Sequence, residues 1–186
     1  MREKSPQKIG EELEGRIFAI CEGHLECLVR PAVKREMVAE IEEMSLELEN
    51  VVKDGETREC LRAGLWLLAD DLDKAHRICQ EVPTNYGSAW HAVVHRREGD
   101  FWNSKYWWRR AGGVRWEELA DCIAKECRGG PEEVLTCVAG NSYDPARLVD
   151  LVEANQERGS AEIRAALVTV QRIEWKALFS ETWARL

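Results

Sequence analysis

Residues Trp90 to Glu98 run W-H-A-V-V-H-R-R-E, and on a helix His91, His95 and Glu98 fall at positions i, i+4 and i+7. At about 100° per residue they share a stripe roughly 60° wide. Two imidazoles and a carboxylate on one helical face can ligate a divalent metal or build an acid–base site. The plain structural alternative is a solvated face on which His95 and Glu98 form a weak ion pair.

A third imidazole precedes this stretch. Thr57 to Val82 carries Leu61, Leu65, Leu68, Leu72, Ala75, Cys79 and Val82 at helical spacing, which predicts one long helix ended by Pro83. Trp66, Asp70, Asp73, Arg77 and Gln80 fall on its polar side, and His76 lies at the edge of the seam, where a residue borders a groove between helices. Asp73 and His76 form a carboxylate–imidazole pair at i, i+3, a spacing that helical bundles use in its Glu form to ligate metals. Asp73 can equally pair with Arg77. Only the turn Thr84 to Gly87 and a residue or two separate this helix from the next, which Ser88 can cap. The two helices should therefore be neighbours, bringing His76 towards His91 and His95.

Gly99 breaks the pattern, and Asp100 can cap a short helix ending at Gly112-Gly113. Within it, Asn103, Lys105, Tyr106, Arg109 and Arg110 are threaded through Phe101, Trp102, Trp107 and Trp108. Guanidinium groups beside such rings suit a carboxylate or phosphate held against an aromatic wall. Cations closing a helix also simply complement its dipole. Arg96 and Arg97 point to different sides of their helix, so both cannot face one ligand. From Ser88 to Trp116 six Lys or Arg, Arg115 among them, stand against Glu98 and Asp100, a net +4 within a chain of net charge −8. Eight of the fourteen aromatics also lie between Tyr86 and Trp116, a density that predicts some rings lining a pocket.

These groups are positioned by a chain that reads as helical nearly throughout. Further helices are expected over Glu11–Val29, Val33–Val52, Trp116–Cys127 and Glu132–Val138, with Asp144-Pro145 starting a helix to Arg158 and Ser160 opening the last, to Ala184. In that last helix Glu174 interrupts the apolar stripe of Ile163, Leu167, Val170 and Leu178. A buried carboxylate needs an Arg or a metal beside it, so Glu174 is expected to point towards the His/Arg region as a supporting carboxylate. The fold class is all-α, a single-domain helical bundle of about eight or nine helices over residues 1–186, with an acidic helical part (1–55) and a site-bearing core (56–186).

The composition narrows the function. No apolar run approaches the roughly 20 residues that cross a bilayer, and the start lacks the apolar centre of a signal peptide, so a cytoplasmic protein without membrane partners is expected. Seven cysteines form no CxxC pair and read as small buried hydrophobes. The acidic balance argues against a nucleic-acid binder. A basic, aromatic island in an acidic chain fits a small anionic molecule better.

The runs GLWLLADDLDKAHRICQEV, SAWHAVVHRREGDFWNSKYWWRRAG and IEWKALF resemble an uncharacterised family of bacterial and fungal proteins. That family shares W-H-x-x-x-H-R-R-E and N-x-K-Y-W-x-R-R patterns and an E-W near the C-terminus. The resemblance spans roughly residues 60 to 183. It implies that these segments act as one unit and transfers no activity.

The sequence thus reads as a small-molecule site protein, in its sharpest form a metal-dependent hydrolase, isomerase or oxygenase. His91, His95 and His76 would bind one divalent transition metal (Zn, Mn, Fe or Ni), with Glu98 or Asp73 as carboxylate ligand or general base. Lys105, Tyr106, Arg109, Arg110, Asn103 and Trp107 would hold a small anionic substrate. Without a metal, His91 or His95 can itself serve as base. The alternatives are a non-catalytic binding module for an anionic metabolite and a protein-interaction domain, including a homo-oligomer.

Overall fold

A computed structural model describes residues 6–112, 118–139 and 142–185. The chain is all-α, with nine α-helices among the described residues. They are α1 (Pro6–Glu22), α2 (Val38–Val51), α3 (Gly55–Leu68), α4 (Leu72–Cys79), α5 (Asn85–Glu98), α6 (Phe101–Arg110), α7 (Leu119–Glu126), α8 (Pro145–Asn155) and α9 (Ala161–Trp183). Short 3-10 turns occupy Arg35–Met37 and Val134–Cys137, and one two-residue antiparallel ladder pairs β1 (Val138–Ala139) with β2 (Ser142–Tyr143). The expected start at Trp116, together with Gly113 and Arg115, lies outside the described residues. None of the described helices is long and apolar enough to cross a membrane.

One buried core runs from Leu13, Ile17, Ile41, Met44 and Leu48 of α1 and α2 to Leu178 and Phe179 of α9. At its centre is α5, which packs against α3, α4, α6 and α9 and is buried at every position from Tyr86 to Arg97. A helix enclosed on all sides is normally apolar all round. This one carries two histidines and two arginines inside, so each needs a partner from a neighbouring helix. Gly64 of α3 makes room for the enclosure: a β-carbon there would lie 2.9 Å from the Trp90 ring and 3.2 Å from Phe179.

Several element boundaries differ from those expected. The span Thr57–Val82 is two helices, because Asp70 turns the backbone to φ 58° and Asp71 then caps α4, accepting from Lys74 N. The turn buries Trp66 and Asp70, which the single-helix reading put on a polar side, while Asp73, Arg77 and Gln80 remain exposed. The first helix ends at Glu22 rather than Val29, with Gly23 following and Leu25 at φ 62°. Thr84, not Ser88, caps α5, accepting from Gly87 N. The segment Glu132–Val138 holds only a 3-10 turn before the chain straightens into β1. The caps Asp100 and Asp144 accept from the first-turn amides as expected, and Ser160 does the same for α9.

Candidate metal centre

Two helices supply the site, α4 with His76 and α5 with His91, His95 and Glu98. Because α5 faces α4 along one stripe, the residues at i, i+4 and i+7 all look at the α4 surface that carries His76. His76 Nε2 lies 3.0 Å from His91 Nε2, and the three ring centroids are 4.6 to 4.8 Å apart. One ligating nitrogen from each histidine falls within 4.8 Å of the others, close enough together to hold a metal. Tetrahedral binding at about 2.0–2.1 Å sets nitrogens about 3.3 Å apart. The His76–His91 pair, at 3.0 Å, is near that spacing already. His91 and His95 are buried, whereas His76 is half-buried.

Glu98 stands behind the rings. Its Oε1 accepts from His76 Nδ1 at 2.7 Å, and its Oε2 lies 3.3 Å from His95 Nδ1. Asp100 Oδ2 is 3.6 Å from the same nitrogen, while Asp100 also caps α6 and accepts from Asn103 Nδ2 at 2.7 Å. Both carboxylates therefore address the outer ring nitrogens. That turns His76 Nε2 inward and fixes the tautomer, as carboxylates behind metal-bound histidines commonly do.

The electrostatics follow this arrangement. The hydrogen bond to Glu98 raises His76 above its ordinary 6.5, against the effect of burial. Burial pushes the Glu98 carboxyl up, but hydrogen bonds and charge from His76 and His95 outweigh it and hold the group at about 2. Burial, reinforced by His95 and His76, lowers His91 to about 4. With His76 donating from Nδ1 to Glu98, the Nε2 of neutral His76 is an acceptor facing His91 Nε2.

The aromatic island meets this centre through one ring. Trp107 stacks on His91 with centroids 4.2 Å apart and planes 26° apart, and Arg110 lies 5.4 Å above the Trp107 ring. Tyr106 and Arg109 are exposed on the outer face of α6. Lys105 turns the other way, to Asp150 and Glu153 of α8, because it sits on the opposite flank of α6 from Trp107. Asp73 is exposed and touches His76 only through its field.

The remaining buried charges hold α5 in place. Arg96 forms a two-pronged ion pair with Glu174 of α9, both fully buried, and Tyr143 donates to Glu174 at 2.6 Å. Arg97 reaches Asp70 at 2.6 Å and the carbonyls of Leu67 and Cys27. Glu174 thus points at the histidine-bearing helix but at its opposite side. Asp70 was missed from sequence as an anchor for α5, and Asp100, read as a cap, is also a neighbour of His95. The latter had a signal, since its spacing from His95 brings a cap back over the end of α5.

The chain matches no protein-family model, no curated protein and no solved structure.

Proposed function

We propose that this protein is a metal-dependent enzyme acting on a small anionic substrate, with His76, His91 and His95 as ligands of one divalent transition ion. The observation that carries this reading is the convergence of three ring nitrogens from two helices within 4.8 Å. Their backing by Glu98 at 2.7 and 3.3 Å supports it further. Imidazole donors favour Zn, Fe or Ni over Mg or Ca, and three histidines leave a coordination position open. When bound, such an ion polarises a carbonyl or activates water.

The chain's own residues then have distinct tasks. Glu98 holds His76 in the ligating tautomer and, 3.3 Å from His95, balances part of the charge. Trp107 keeps His91 flat against α6. Arg110, above the Trp107 ring, meets the substrate's anion, and Lys105, engaged with α8, takes no part.

A metal-free acid–base site is the second reading, favoured by the direct His76–His91 hydrogen bond at 3.0 Å. Elemental analysis of the purified protein separates the two. About one equivalent of a transition metal, lost in His91→Ala/His95→Ala, is expected. No metal in the wild type after incubation with Zn, Mn, Fe(II) or Ni would favour the metal-free site.

A further inference from the structure

Four large apolar side chains are exposed among the described residues, Val33, Leu46, Trp102 and Tyr106. Two of them stand one helical turn apart on α6. Trp102 is 71% exposed, and its ring lies parallel to Tyr106 within 8°, with centroids 6.1 Å apart. Tyr106 meets Trp107 edge-on at 5.4 Å, and Trp107 is the ring stacked on His91. A continuous aromatic path therefore leads from solvent to the histidine centre. Single exposed hydrophobes are ordinary, but a row of rings ending at a polar site is not.

Two cations flank the rings, while Glu98 and Asp100 stand behind the histidines. Arg109 and Arg110 are exposed beside the rings, and Arg110 lies 5.9 Å from the Tyr106 centroid and 5.4 Å from Trp107. Lys105, the remaining cation of α6, is neutralised by Asp150 and Glu153. Because the Arg110 guanidinium lies over the Tyr106 and Trp107 rings, an anion that it holds sits directly beside a ring stacked on the same face. Stacking on sequence-tolerant π-faces supplies affinity for the ring, and the guanidinium supplies it for the anion.

We propose that the outer face of α6 is the substrate-binding face of the histidine site and takes a planar ring bearing an anionic group. Trp102 and Tyr106 stack on the ring, and Arg110 holds the anion at the edge of the His76/His91/His95 cluster. The placement of the reacting end rests on the metal-site reading above, whereas the stacking and the charge contact do not.

Calorimetric titration tests this on the full chain, both chelator-treated and loaded with Zn. Adenosine 5′-monophosphate and 2-naphthoate are the two ring-bearing anions, distinguishing phosphate from carboxylate. Adenosine and inorganic phosphate are the half-probes. At least one ring-bearing anion should bind about tenfold more tightly than either half-probe, and Trp102→Ala and Arg110→Gln should each cost about tenfold in that affinity. Their melting curves and metal content should match the wild type. Zn that adds affinity ties the face to the centre. A metal-independent Kd supports the stacking face and counts only against the metal reading. Absence of binding by both ring-bearing anions, or affinity unchanged in Trp102→Ala, would overturn the proposal. So would self-association in sedimentation that Trp102→Ala abolishes, since the rings would then serve a second copy of the chain.

Discussion

At the scale of single residues, Glu98 is the most consequential group. It is hydrogen-bonded to His76 Nδ1 and lies 3.3 Å from His95 Nδ1, so its removal should loosen the site without opening the core. Glu98→Gln is expected to weaken metal affinity roughly 10–100-fold, as loss of an outer carboxylate commonly does. Competition against a chromophoric chelator measures this, and unchanged affinity would refute the positioning role. The same contacts set a pH dependence. His76 is raised above 6.5, so its stabilisation is complete below 6.5 and fades as pH rises through its higher folded value. Glu98 is lowered from 4.5 to about 2, so its stabilisation is complete above 4.5 and fades as pH falls towards 2. His91 is lowered from 6.5 to about 4 and removes stability across that interval on acidification. The stabilisation lost in Glu98→Gln should therefore be greatest between pH 4.5 and 6.5. Melting temperatures of both proteins across pH 3–9 test this, and a flat difference would contradict it.

At the scale of elements, α5 is pinned on two sides by buried charge. Arg96→Met leaves Glu174 without its cation, and Glu174→Gln leaves Arg96 without its anion. Each should cost about 3–5 kcal/mol, while the double variant recovers part of the loss. Urea denaturation of the four proteins gives the coupling, and strict additivity would refute it. Asp70→Asn keeps a side chain that tolerates φ 58° but removes the charge facing Arg97 and Lys34. It should destabilise comparably, and because α4 begins at this turn it should also weaken metal retention. Asp100 and Asp144 were legible from sequence because a cap acts within its own turn. The same is true of His91, His95 and Glu98, whose shared face is a matter of spacing. The α3–α4 break was hidden because the leucine seam continues in phase through Leu68 and Leu72, and the left-handed turn is held by Arg97, 27 positions away. Glu98's role was hidden for a similar reason, since its partner His76 lies on another helix. The ion pairs of Lys105 were hidden because its acidic partners sit on α8.

Over the whole molecule, the acidic first part and the site-bearing remainder share one core, with Leu13 and Met44 as fully enclosed as Leu178. All seven cysteines are unpaired, and five are buried, leaving Cys27 and Cys122 exposed. Burial raises the thiols of Cys21, Cys60 and Cys137 to about 12. Two thiols should thus react with a disulfide reagent in the native protein and five only after unfolding. Prompt labelling of more than two would show the core to be looser than its packing implies.

The short connection between α4 and α5 bears on how this chain folds. His76 and Glu98 are 22 positions apart, whereas Arg96 and Glu174 are 78 apart. Closing the smaller loop costs less entropy, so the histidine cluster can assemble in the folding transition state before α9 docks. Substitutions at His76 or Glu98 should then mainly slow refolding, and substitutions at Glu174 should mainly hasten unfolding. The histidine-bearing hairpin would be the seed on which the later helices condense.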